Sequence, residues 1–212
     1  MMDTKLEMKN IEFNKIRFKE VIKLIETQLK NGVSTFEDLR ETYYSGEDLS
    51  EHKIHRKEYF INGTVDSVWN HYLIADPSDV WNGDMISFGL MVSGESNEIV
   101  YPGDPCRAAE PGQVFYVCLN IVGSFLKIAV THKIIGVDHE NRIMTLSYVE
   151  GGETVGKQDI QLSSTDDGNT KITHTTFYRG RPGFREKYLY PYFHTKAINE
   201  FHANMKNSFK KA

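Results

Sequence analysis

Residues 184–210, FREKYLYPYFHTKAINEFHANMKNSFK, decide the fold. At the helical repeat, Pro191, His194, Ile198, Phe201, Met205 and Phe209 fall on one face, with Lys196, Glu200, Asn207 and Lys210 opposite. The stretch predicts a long amphipathic helix whose apolar stripe must lie against something else. Two details depart from an ordinary core stripe. His194, Thr195 and His202 sit on or beside it, and Tyr188, Leu189, Tyr190, Tyr192 and Phe193 make the first two turns bulky almost all round. Pro191 requires the helix to start near Tyr188 or to kink there, because proline is tolerated only in a first turn.

The residues before this helix supply a sheet. Strands are predicted at 56–62, 85–92, 113–121, 125–137, 141–149, 154–163 and 169–179. Between most of them lie short turns rich in turn formers, such as Gly151-Gly152 and Asp166-Asp167-Gly168-Asn169. Short loops make neighbouring strands antiparallel. Leu126, Ile128, Val130, His132 and Ile134 alternate with Lys127, Thr131 and Lys133, and Ile172, His174, Thr176 and Tyr178 alternate with Lys171, Thr173, Thr175 and Arg179. That pattern expects one face on the helix and the other in water. Residues 93–112, with Pro102, Gly103, Pro105, Pro111 and Gly112, read as a long excursion or lid.

Between the first strand and the second, Thr64 is placed to cap a helix carrying Val65, Val68, Trp69 and Tyr72, and Asp76-Pro77 restarts a shorter one. Residues 1–50 read as a helical hairpin extension. Phe18, Val21, Ile22, Ile25 and Leu29 give the first helix, stopped by Asn31-Gly32; Ser34 and Glu37 suggest a capping box for a second, with Phe36, Leu39 and Tyr43 on one face. Such a hairpin has to pack on the main domain, residues 54–210, or on another chain; a homodimer through these helices is one way to cover it.

Composition excludes several classes. A net charge of −4 spread over 212 residues offers no concentrated basic face for nucleic acid. No uncharged run is long enough to span a bilayer, and the two cysteines, Cys106 and Cys118, read as reduced thiols in a cytoplasmic protein. There is no GxSxG elbow and no phosphate loop. Of eight histidines only His52 and His55 are close in sequence, without the spacing of a zinc site, so neither a metal nor a cofactor is expected. The densest basic cluster, Arg179, Arg181, Arg185 and Lys187, reads as a solvated patch rather than an anion site.

The order strand, two short helices, six strands and long helix, with Ile61, Asp66, Val68 and Trp69 at the strand-to-helix junction, resembles the START-like helix-grip superfamily. That superfamily includes polyketide cyclase-like proteins, pathogenesis-related allergens and a chaperone-activator domain. Gly63-Thr64 stands where those proteins often carry Ala-Pro. The resemblance implies an α+β fold in which a curved, seven-stranded antiparallel sheet grips the C-terminal helix around a cavity for an apolar or amphipathic small molecule.

On that reading the cavity takes its polar groups from Tyr116, His132, Tyr148, Gln158, His174 and Tyr178 on strands and from His194 and His202 on the helix, with Tyr188, Thr195 and Ile198 completing the site. The leading expectation is a non-catalytic binder. The alternatives are a cyclase or aromatase working through pocket His and Tyr residues, and an interaction module of the chaperone-activator kind.

Overall fold

The computed structural model describes residues 6–94, 98–122, 126–152, 154–180 and 189–211. Its centre is one antiparallel sheet built from β1 (Lys53–Ile61), β2 (Ile86–Val92), β3 (Ile99–Val100), β4 (Val114–Val122), β5 (Leu126–Asp138), β6 (Ile143–Tyr148), β7 (Thr154–Ser164) and β8 (Thr170–Gly180). The spatial order is β1-β8-β7-β6-β5-β4-β2-β3. Seven strands fall where the sequence places them; the eighth, β3, is a two-residue pairing with β2 inside the 93–112 excursion.

The helices are α1 (Lys19–Lys30), α2 (Val65–Ile74), α3 (Pro77–Val80) and α4 (Tyr190–Phe209). Local chemistry sets their starts. The Thr64 side chain accepts the Ser67 N–H at the head of α2, and Asp76 accepts the Ser78 N–H at the head of α3, whose first residue is Pro77. Pro191 is the second residue of α4, where its missing N–H costs no intrahelical bond, so the proline marks the start rather than a kink.

The helix α4 lies across the concave face of the sheet. Ala197, Phe201 and Met205 from α4 meet Val68, Trp69 and Tyr72 from α2 and Met144, Leu146, Ile160 and Ile172 from the strands in one apolar core. Glu200 falls on the solvent side by helical spacing, yet it makes specific bonds. Its carboxylate accepts the backbone N–H groups of Asp84, Met85 and Ile86 at 2.7–2.9 Å and thereby ties the middle of α4 to the beginning of β2.

Two expectations need correction. The second helix of the N-terminal hairpin is a single 3-10 turn, Phe36–Asp38; its capping box is formed by Thr35 and Asp38, and the chain then runs extended so that Glu41 bridges Val149. The convex face is also not left to water. Met8, Ile11, Ile16, Val21, Ile25, Phe36 and Leu39 pack on Leu90, Val92, Val114, Tyr116 and Cys118, forming a second core on the outside of β2 and β4. That cover explains the sequence of β4, VFYVCLNIV, which is apolar on both faces and so lacks alternation.

Candidate functional site

A cavity of about 530 Å³ lies between the concave sheet and α4. Most of its wall is apolar, including Val117, Val130, Ile134, Leu146, Ile160, Ala197, Ile198 and Phe201. Its opening is marked by residues that line it and are also exposed: Leu126 (49%) and Ile128 (37%) on β5, and Leu189 (39%) at the start of α4. Pairing between β5 and β6 ends at His132 and Tyr148, so the first residues of β5 border the mouth.

Strand register selects the polar groups. Residues directly opposite one another share a face, and Phe115, His132 and Tyr148 form one such row while Leu146, Gln158, Thr176 and His55 form the next. Side chains on diagonal positions of adjacent rows are within reach of each other. Gln158, in the centre of β7, reaches His174 on β8 by such a diagonal and reaches His132 across the intervening strand β6. Its Nε2 donates to His132 Nε2 at 2.8 Å, and its Oε1 accepts from His174 Nε2 at 2.8 Å. His174 Nδ1 meets His202 Nε2 at 2.8 Å, and Tyr72 Oη meets His202 Nδ1 at 2.8 Å. A branch runs from Gln158 Nε2 to Tyr148 Oη at 3.4 Å, and the Tyr148 hydroxyl is joined to that of Tyr190.

A smaller cluster sits where β1 meets α4. His55 Nε2 bonds the Thr195 hydroxyl at 2.8 Å, His55 Nδ1 faces His194 Nδ1 at 3.2 Å, and His194 Nε2 lies 3.4 Å from Thr176 Oγ1. Burial holds these imidazoles neutral. It pushes His132 down to about 4 and His202 to about 3, and with repulsion from neighbouring histidines it sets His174 and His194 well below the ordinary value. His55 is lowered by its burial and then by Lys57. Burial likewise raises the Cys106 thiol to about 11, aided by Asp76, so this cavity-lining cysteine stays protonated near neutrality.

Of the residues singled out from sequence, His132, Tyr148, His174, His194 and Ile198 line the cavity. His202 stands one bond behind His174. Tyr178 stacks on Tyr190 with ring centres 4.0 Å apart, and Thr195 faces β1 through His55; neither borders the cavity. Tyr116 is a correction. Its register with Thr131 places it on the convex face, where its hydroxyl donates to Gln28 of α1 at 2.8 Å. Tyr188 lies outside the described residues, as do Arg181, Arg185 and Lys187; Arg179 pairs with Glu51 at 2.7 Å.

Four contributors are not evident from residue types and spacing. Gln158 reads as inward but not as a hub, Tyr190 only as part of an aromatic turn, and Tyr72 only as an apolar helix position. His55 reads as linker, although it shares the period-two face of Tyr59 and Ile61 on β1. Among the described residues, no three His, Cys, Asp or Glu side chains gather around a point that could hold a metal ion.

No protein-family model and no curated protein matches this sequence. Solved structures do. Norcoclaurine synthase from Thalictrum flavum, in complex with dopamine and hydroxybenzaldehyde, superposes with a TM-score of 0.55 at 16% identity, covering 81% of this chain and 97% of that one. Major latex-like protein 151 from Panax ginseng gives 0.54 at 13% identity, with 74% and 97% covered. Ara h 8.0201 gives 0.52 at 15% identity, with 76% and 99% covered. The fold is therefore the START-like helix-grip fold, as the element order and the Val68-Trp69 junction implied. Identities this low speak to fold alone.

Proposed function

We propose that the protein binds a hydrophobic or amphipathic small molecule in the cavity between the sheet and α4. The observation that carries this reading is the cavity itself: about 530 Å³ of mainly apolar wall, with a few convergent polar groups and an opening to solvent. Ligand sites have that size and that mixture. A chain selected for packing alone would close such a space, because voids in a core cost stability. Norcoclaurine synthase, of the same fold, holds two small aromatic molecules in its complex, which fits this reading. Native mass spectrometry of the purified protein, followed by titration with an apolar fluorescent dye and a panel of lipids and polyketides, tests it. Saturable binding of one dye per chain, displaced by members of the panel, is the expected result; absence of any saturable binding would overturn it.

A second reading has an observation of its own. His132, Tyr148 and His174 are each within hydrogen-bond reach of Gln158, a convergence that a cyclase or aromatase acting by general acid–base chemistry would use. Against it, burial holds the His132 and His174 imidazoles well below the ordinary value. Conversion of a bound polyketide chain, seen by mass change or by a new absorbance band, would favour this reading over simple binding.

The remaining alternative, a protein-interaction module, is the one the open cavity supports least. A homodimer through the N-terminal helix has equally little in its favour, since Val21, Ile25 and Gln28 of α1 are already buried in contact with this chain's own residues. Among the described residues no helix is long and apolar enough to cross a membrane, and Cys106 and Cys118 are free thiols, in keeping with the proposed cytoplasmic setting.

A further inference from the structure

The cavity borders helices on opposite faces of the sheet. Phe193, Ala197 and Ile198 of α4 line it from the concave side. Leu24 and Gln28 of α1 line it as well, yet α1 packs on the convex face, through Val21 and Ile25 and through the bond from Tyr116 to Gln28. One space can touch both helices only by passing through the sheet. The strand ladder shows where. β5 and β6 stay paired from Asp138 opposite Ile143 to His132 opposite Tyr148 and then part, because β6 turns off near Glu150 while β5 runs on to Leu126. Past that point the cavity is lined by Ala129 and Thr131 on one side and by Val149, Gly151 and Thr154 on the other. Ala129 and Thr131 stand opposite Cys118 and Tyr116 in register, so they belong to the convex face, which a purely concave chamber would not touch.

Both lips of this slot are fixed. The end of β6 is anchored by the chain that follows the 3-10 turn: the Thr42 N–H donates to the Tyr148 carbonyl and the Glu150 N–H to the Arg40 carbonyl, each at 2.9 Å. β5 keeps its pairing with β4 down to Leu126, and Ala129 packs with Leu24 in the outer core. Leu24 shows the slot from the other side. Helical spacing sets it on the face of α1 that carries Val21, Ile25 and Gln28, all three buried, but Leu24 itself is only partly covered. A compact ligand held in the concave chamber would leave Leu24, Ala129 and Val149 facing water; a longer one covers them, which is favourable.

We infer that α1 is part of the binding site: the ligand is an elongated molecule that lies in the chamber and reaches through the slot between β5 and β6, and Leu24, beside Gln28, contacts its outer end and sets the length that fits. The inference rests on the small-molecule reading given above and goes beyond it by giving the ligand a shape and by adding a wall from the N-terminal segment.

N-Butyl-, N-octyl- and N-dodecyl-dansylamide, titrated by fluorescence, vary length under one head group. Affinity for the wild-type protein is expected to rise from butyl to dodecyl. Leu24→Trp, which narrows the slot, should weaken the dodecyl probe about tenfold, the loss of contact with roughly two methylene groups, and leave the butyl probe within about twofold. A measurement on the wild type needs no variant to fold. Of two dodecyl probes carrying a photoreactive diazirine, one at the chain end and one on the head group, one should label the peptide that spans Leu24 to Gln28. Affinity independent of chain length, a length dependence that Leu24→Trp leaves unchanged, or labelling by both diazirine probes confined to the strands and α4 each overturn the inference and leave the small-molecule reading intact. Failure of all three dansylamides to bind the wild type overturns both together.

Discussion

His55 and His194 face each other Nδ1 to Nδ1 at 3.2 Å, joining the edge strand β1 to the first half of α4. One nitrogen of the pair donates and the other accepts, so a proton on the accepting nitrogen breaks the contact. His132, His174 and His202 share the same interior, and all five lie below the ordinary imidazole value. The sign follows from linkage. The native state binds fewer protons than the unfolded chain, so the stability these groups contribute is complete above the unfolded value of about 6.5 and is lost as the pH falls below it. Each fully buried histidine that stays neutral then costs about 1.4 kcal/mol per pH unit, with the half-exposed His55 contributing least. The thermal midpoint should drop steadily from about pH 7 to about pH 5, before Asp38 and the other carboxylates held low by backbone N–H donors begin to titrate. A midpoint independent of pH over that window would refute this account.

The three backbone N–H groups gathered by Glu200 set a second expectation. Glu200→Ala leaves Asp84, Met85 and Ile86 without their acceptor, and water can replace it only in part because the site is half-buried. A loss of about 2 kcal/mol in urea denaturation is expected, the magnitude of hydrogen bonds to a charged group. Glu200→Gln, which keeps one acceptor oxygen, should recover part of that. If the alanine variant unfolds at the wild-type urea concentration, the tie between α4 and β2 carries no energy.

Tyr116 tests the bond that ties α1 to the sheet. Tyr116→Phe leaves the Gln28 side chain without its donor and should cost about 1–2 kcal/mol in urea denaturation. An unchanged urea midpoint would mean that this bond carries no energy.

Ala197 offers the opposite test, binding without stability. Its methyl group borders the cavity from α4, so Ala197→Phe puts a ring into space now empty. The dye should bind at least tenfold more weakly, while the thermal midpoint holds or rises because a void has been filled. Unaltered dye affinity would place the binding site elsewhere.

The sheet, the grip helix and most of the cavity's polar groups are legible in the sequence because β5 and β8 largely alternate, Phe177 being the exception, and period two then names the inward residues. Legibility fails where both faces are dry. On β4 the strand is apolar from Val114 to Leu119, so Tyr116 could be assigned to either side, and the assignment depends on an N-terminal cover whose second helix the capping signal at Ser34 overstates. Gln158 illustrates another limit. Period two places it inward, but its role comes from a diagonal neighbour on β8 and from His132 two strands away on β5, and those depend on register, which residue types do not reveal. His55 is lost to a boundary: the strand begins at Lys53, three residues before its apolar signal becomes clear.

The mouth of the cavity leaves a mark on the backbone. From Leu126 to Thr131, β5 pairs with β4 on one side, while its pairing with β6 begins only at His132. In an antiparallel ladder alternate residues turn their N–H groups to opposite sides, so every second amide of this stretch faces the mouth rather than a neighbouring strand. Those amides should exchange with deuterium well ahead of their immediate neighbours, and a molecule seated in the opening should slow them selectively. The sheet thus carries a built-in reporter of occupancy, readable without knowing what the occupant is.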